Sequence, residues 1–239
     1  MANRRPIKRL TEGKNKAKVL TPAELKKLLH ALALTRNPKL NRLIVWLLFG
    51  AGLRITEVAC IRIQDVLWPS GNLVTDVRIP AKYCKGNKAG HVFFYARQLQ
   101  QALEAYLTVR IQKKLRTTNS PEYRGLDPFS PLILSENRQG YSLKLKKRRD
   151  KHGEIREYWA ADTLQELVTN WGKKFGITGF SSHSGRRTLA TRLSRKGVSE
   201  EMLQTLLRHE DPDTIYDYVD LDTKFVRDVL ERMYKQSNE

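Results

Sequence analysis

Six side chains in this 239-residue sequence have the types and the setting to do chemistry. His183-Ser184-Gly185-Arg186 sets an imidazole three residues before a guanidinium, where a loop gives way to a helical pattern. His209 follows 23 residues after Arg186, behind an apolar stretch of Met202, Leu203, Leu206 and Leu207, and Tyr218 stands nine residues further on. Upstream, Gly52-Leu53-Arg54-Ile55-Thr56-Glu57 places an arginine just past a glycine break, and Lys85 sits in a basic turn between two strand-forming runs. Guanidiniums fork around anionic oxygens and keep their charge at any working pH. An imidazole exchanges protons near neutrality. A phenol, with a pKa of about 10, turns nucleophilic only next to positive charge or a base. Gathered in one place, such groups suit attack on an anionic centre that gains charge towards its transition state.

Each residue also has an ordinary reading. Arg54 could be a surface arginine at a helix start with Glu57 as its salt-bridge partner, and His183 a capped core histidine. Lys85 competes with Lys82 and Lys88, although its Lys-Gly-Asn-Lys context favours it. Tyr216 competes with Tyr218; two residues apart on a helix they point about 200° away from each other, so only one can face a given site.

The elements that must position these groups are mostly helical. Thr21-Pro22-Ala23-Glu24 is a capping box with proline at the first helical position, and Leu25, Leu28, Leu29 and Leu32 follow at helical spacing. Further helices are expected over about 40–49, 56–65, 98–115, 162–175, 185–196, 199–207, 213–219 and 223–234. Val74, Val77 and Ile79 face Val92, Phe93 and Phe94 across the basic turn that holds Lys85, as in a β-hairpin. From Thr117 to Trp159 the pattern fades, apart from Leu132-Ile133-Leu134 and a second basic run, Lys144 to Arg149, which suits a nucleic-acid-facing loop or a solvated surface equally. The fold class is mainly α with a small antiparallel β-sheet.

Composition narrows the function. Lysine and arginine number 44 against 25 acidic residues, a net charge of +19, which favours a polyanionic partner with nucleic acid first and a merely basic protein as the alternative. Cys60 and Cys84 are too few for a disulfide framework and lack zinc-site spacing. The longest apolar run, Leu43 to Leu53, is too short to span a bilayer, and the basic N-terminus has no apolar signal stretch. A cytoplasmic globular protein with no membrane role is the expectation.

In order and spacing, Arg54, Lys85, His183, Arg186, His209 and Tyr218 resemble the tyrosine recombinase (phage integrase) family, which includes Xer-type enzymes. The likeness runs from Leu20 to the end of the chain. It implies the family's catalytic-domain fold and a site-specific recombinase that cleaves and rejoins double-stranded DNA through a 3′-phosphotyrosyl intermediate. Arg54 and Arg186 would hold the non-bridging oxygens, His183 would accept a proton, and His209 would donate to a phosphate oxygen. Lys85 would protonate the leaving 5′ oxygen and Tyr218 would attack. The resemblance implies no cofactor, metal or nucleotide, because the phosphotyrosyl ester stores the bond energy.

Two departures stand out. Arg208 occupies a position where the family usually has glycine, and Arg187 follows the second arginine. The family's helical core-binding domain is expected to be absent, with residues 1–19 forming a flexible basic arm before a catalytic domain over 20–239. The arm carries seven basic residues against Glu12. Phe225, Val229, Leu230 and Met233 form an apolar stripe, so 221–239 is expected as a helix that docks on a neighbouring protomer. Assembly into a tetramer on paired DNA sites follows, with an accessory DNA-bending protein or a second recombinase as further partners. The alternatives are a non-catalytic accessory DNA-binding protein with the same fold and a type IB topoisomerase-like relaxing enzyme.

Overall fold

The computed structural model describes residues 16–81, 89–149 and 153–208. Its first helix, α1 (Pro22–Ala33), begins as the capping box requires. Thr21 Oγ1 accepts from the Glu24 amide at 3.2 Å, and Glu24 Oε2 accepts from the Thr21 amide at 2.9 Å. Leu25, Leu28 and Leu32 turn inward at the predicted spacing. They meet α2 (Pro38–Phe49), which is apolar almost all round and therefore becomes the central helix. Leu43, Ile44, Val45 and Leu47 are completely buried there, and each such side chain contributes about 2 kcal/mol relative to exposure.

The single helix expected over 56–65 is two: α3 (Ile55–Cys60) and α4 (Ile63–Val66). Ile61 and Arg62 are extended between them because a distant segment pairs with their backbone. The Leu132 amide donates to the Ile61 carbonyl at 2.7 Å, and the Ile63 amide to the Ser130 carbonyl at 3.1 Å. Two long-range backbone bonds outweigh one more turn of helix, and they bury the apolar run of Leu132, Ile133 and Leu134.

Strands β1 (Asp76–Ile79) and β2 (Gly90–Phe93) pair antiparallel, with Val77 opposite Val92 and Ile79 opposite Gly90. Val77, Ile79 and Val92 reach the core. Helix α5 (Arg97–Gln112) then packs along α2. Its Arg110 is fully buried, yet its guanidinium donates to the carbonyls of Leu115, Pro131 and Leu132 and to Ser130 Oγ. This guanidinium pins the long loop that the sequence pattern leaves undefined.

A second antiparallel pair corrects the expectation of one sheet. Strands β3 (Lys144–Arg149) and β4 (Ile155–Ala160) form a ribbon with Leu145 opposite Trp159 and Lys147 opposite Glu157. The basic run is thus a strand and no loop, and it presents the solvated surface that was its other reading. Leu145, Ile155, Tyr158 and Trp159 remain exposed, so the ribbon lies outside the hydrophobic core. Three helices complete the described chain: α6 (Asp162–Lys174), α7 (Ser184–Ser194) and α8 (Glu200–Leu207). Helix α7 packs on α2, and α8 on α7. The helices expected over 213–219 and 223–234 lie outside the described residues. The molecule is mainly α with small antiparallel sheets.

Candidate active site

Arg54 caps the N-terminus of α3, in extended conformation at φ −76° and ψ 153°. Glu57, one turn on, is fully buried and accepts twice from it, from the backbone amide at 2.7 Å and from Nη1 at 2.8 Å. The Arg54 guanidinium also donates through Nη2 to the Arg208 carbonyl at 3.1 Å. Arg54 is therefore a held, charge-balanced side chain and no loose surface arginine.

His183 and Arg186 come from the turn that starts α7. The Ser181 Oγ accepts from the His183 amide at 3.3 Å, and the Ser184 Oγ accepts from the Ser181 amide at 3.0 Å. These bonds fix a tight turn that delivers His183 to the helix start. The next helical residue but one is a glycine for a packing reason. A Cβ on Gly185 would stand 2.7 Å from the backbone carbon and oxygen of Leu48. Only a bare Cα lets α7 approach α2 this closely, and that approach inserts Arg186. Its side chain is buried, and Nη1 donates to the Gly52 carbonyl at 2.7 Å. Gly52 itself has φ +64°, and a Cβ there would meet Leu189 and Leu207. The Gly-Leu-Arg motif thus supplies both a carbonyl for Arg186 and the turn that aims Arg54.

The imidazole of His183 keeps an exposed edge. Surrounding protein still displaces enough of its water to lower its pKa below the ordinary histidine value, and the guanidiniums of Arg186 and Arg54 push it further the same way. Three residues separated by as much as 132 positions in sequence (54 to 186) therefore share one electrostatic environment. The same surroundings favour the neutral form of the His183 ring. Lys85, His209 and Tyr218 lie outside the described residues, as do the competitors Lys82, Lys88 and Tyr216. The described neighbours of two of them are placed: β1 and β2 stand on either side of the segment that contains Lys85, and Arg208 immediately precedes His209.

Arg208 is a participant that sequence reasoning misses, since there it figures only as a departure from glycine. Nη2 of Arg208 pairs with Glu57 Oε2 at 2.6 Å, and Nη1 donates to the His91 carbonyl at 3.2 Å. Its left-handed backbone, φ 53° and ψ 51°, is the one local signal, since the position suits glycine. Among the described residues, no cluster of three or more His, Cys, Asp and Glu could hold a metal, and no helix is long and apolar enough to cross a membrane.

Residues 18–224 match the model of the phage integrase family. The chain belongs to that family. Within the family, it is 28% identical over 221 residues to the tyrosine recombinase XerA of Pyrococcus horikoshii, covering 92% of this chain and 62% of the relative. It is 25% identical over 198 residues to XerC of Vibrio cholerae, covering 82% of this chain and 52% of the relative. The chain thus spans about three fifths or less of the length of these integrase-family relatives. Among solved structures, XerA recombinase superposes with a TM-score of 0.61 at 21% identity, covering 94% of this chain and 66% of that one. XerH bound to its palindromic difH substrate, in a post-cleavage complex, superposes at 0.58 with 19% identity, covering 91% and 53%. The shared fold is that of tyrosine recombinase catalytic domains.

Proposed function

We propose that this chain carries the catalytic machinery of a site-specific tyrosine recombinase, which cleaves and rejoins double-stranded DNA through a 3′-phosphotyrosyl intermediate. One observation carries the reading: Arg186 bonds to Gly52, two residues before Arg54, and both guanidiniums act on the His183 ring. Two forked cations beside a neutral imidazole suit a phosphodiester whose phosphorus becomes five-coordinate and gains charge on its non-bridging oxygens.

The step balances with the chain's own groups. Tyr218 Oη forms a bond to phosphorus as the bond from phosphorus to the 5′ oxygen breaks. The phenolic proton passes to His183, and Lys85 gives its proton to the departing oxygen. Arg54, Arg186 and His209 stabilise the non-bridging oxygens meanwhile. One phosphate ester replaces another, so rejoining runs the same sequence backwards.

Charge supports DNA as the partner. Beyond the net +19, the β3–β4 ribbon exposes Lys144, Lys147, Arg148 and Arg149, and only Lys147 of these has an acidic partner among the described residues. A two-stranded ribbon is also narrow enough for the major groove of a duplex. Tetrameric assembly on paired sites, docking of 221–239 on a neighbour, the arm over 1–19 and a nucleoid location belong to the same reading. So does a role for an accessory or second recombinase protein. The relatives' names, tyrosine recombinases XerA and XerC, support the recombinase activity at the centre of this reading.

Covalent capture is the test. The chain is incubated with a library of random-sequence duplexes carrying one nick, and complexes that survive detergent denaturation are digested and mapped. A DNA-linked peptide containing Tyr218 is the expected result. No adduct from the wild-type chain, or an adduct on another residue, would overturn the assignment.

A further inference from the structure

Arg208 joins three parts of the molecule that no single element connects. Its backbone ends α8 in the left-handed region at φ 53°, a conformation that glycine adopts freely and an arginine adopts under strain. Its side chain is nearly buried, at 11% exposure, and runs across the start of β2. There a Cβ on Gly90 would collide with Cδ of Arg208. Beyond Gly90 the guanidinium divides its two ends. Nη1 donates to the His91 carbonyl on β2, and Nη2 pairs with Glu57 on α3. The Arg208 carbonyl, meanwhile, accepts from Arg54 Nη2.

The strand that Arg208 grips, β2, is the one that follows Lys85 in sequence. The carboxylate it grips is the one that holds Arg54. We propose that Arg208 is a positioning residue, a strut that sets the distance between the β1–β2 hairpin and the Arg54–His183–Arg186 cluster. The proposal rests on the reading of Lys85 as the group that protonates the leaving oxygen. Strain at residue 208 persists because the side chain spans a gap that glycine would leave open. Its removal leaves Arg54 in place, since Glu57 keeps its two bonds from Arg54 and the residue 208 carbonyl remains. The hairpin, by contrast, loses its tie to α3.

Arg208→Gly is the informative variant, because glycine suits the backbone conformation and preserves the end of α8. Two readouts on the full chain decide. The first is hydrogen exchange of the amides of 76–79 and 90–93, which should speed up in the variant while those of α2 and α5 stay unchanged; equal exchange in the two proteins would overturn the strut. The second compares single-turnover cleavage of an ordinary nicked duplex with one carrying a 5′-bridging phosphorothiolate, whose sulfur leaves without a proton. The ordinary substrate should be cleaved about tenfold or more slowly, as for removal of a support behind a reacting group, and the sulfur substrate within about twofold of wild type. Equal slowing of both, or of neither, overturns the proposal. Arg208→Lys, which can reach Glu57 or His91 but not both, should fall between. Wild type and Lys85→Ala are the controls that separate the two failures. No cleavage by wild type refutes the recombinase reading, and no sulfur rescue of Lys85→Ala refutes the role of Lys85. In either case the exchange measurement still decides whether Arg208 holds the hairpin.

Discussion

The carboxylate of Glu57 is completely buried and lies between the guanidiniums of Arg54 and Arg208, at 2.8 and 2.6 Å. Neither arginine is far exposed, so removal of the carboxylate strands two cations of low water access. Glu57→Ala should cost about 3 kcal/mol or more of stability, the scale of breaking a buried ion pair. Glu57→Gln retains the shape and the bond to the Arg54 amide, and should cost less while still slowing cleavage. Thermal unfolding of both variants checks this, and equal melting temperatures for wild type and the alanine variant would contradict it.

Arg54→Ala and Arg186→Ala should each slow covalent adduct formation by on the order of a hundredfold, the effect of losing one preorganised donor. Lysine should rescue poorly at both positions, because an ammonium cannot fork around two oxygens. At position 186 it would also have to reproduce the bond to the Gly52 carbonyl from a buried site. Single-turnover rates on a nicked duplex are the measurement.

His183 takes up a proton less readily in the folded protein than in the unfolded chain. Its contribution to stability is therefore complete above the unfolded value of about 6.5 and is lost as pH falls through the lower folded value. The stability difference between wild type and His183→Gln should shrink on acidification, and a constant difference from about pH 8 to pH 5 would contradict the lowered value. A bound phosphate adds negative charge beside the ring and moves its pKa back up. Cleavage should thus fail at a higher pH than the stability effect appears.

Tyr218→Phe should abolish adduct formation and leave duplex binding nearly intact, since only the attacking oxygen is removed. Tyr216→Phe should keep its activity. Gel shifts paired with covalent capture distinguish the two variants.

Replacing Lys144, Arg148 and Arg149 with glutamine should leave the melting temperature unchanged, because the ribbon lies outside the core. If these residues meet phosphates, the slope of log affinity against log salt should flatten by about 0.9 for each phosphate no longer neutralised. An unchanged slope would remove the ribbon from the DNA-facing surface.

What was legible in the sequence is what depends on near neighbours or on a spaced motif. The capping box at Thr21 and Glu24 is a local exchange of two bonds, and the structure contains it. The gathering of Arg54, His183 and Arg186 was implied by the family resemblance of their spaced motifs, and the structure adds how it is built, with Gly185 and Gly52 allowing the close approach. Arg110 carried no such mark, because its partners at 130–132 are about twenty residues away and are mostly backbone carbonyls. The β3–β4 ribbon hid for a different reason. Its first strand is so rich in lysine and arginine that charge masks alternation, and the signal lay across the turn in Ile155, Tyr158 and Trp159. The break at Ile61 and Arg62 depends on pairing with residues 130–132, which no local pattern contains.

Residues 16–20 are tied to the α7 end of the site. The Lys18 amide donates to the Gly179 carbonyl, Arg187 Nη1 to the Ala17 carbonyl, and the Leu20 amide to Thr188 Oγ1. Arg187 and Thr188 are the two residues immediately after Arg186. Tension applied upstream of Lys16 therefore arrives first at the helix that carries Arg186. The segment from 16 to 20 is a tow line whose far end is made fast beside Arg186, so displacement at one end of it is felt at the other.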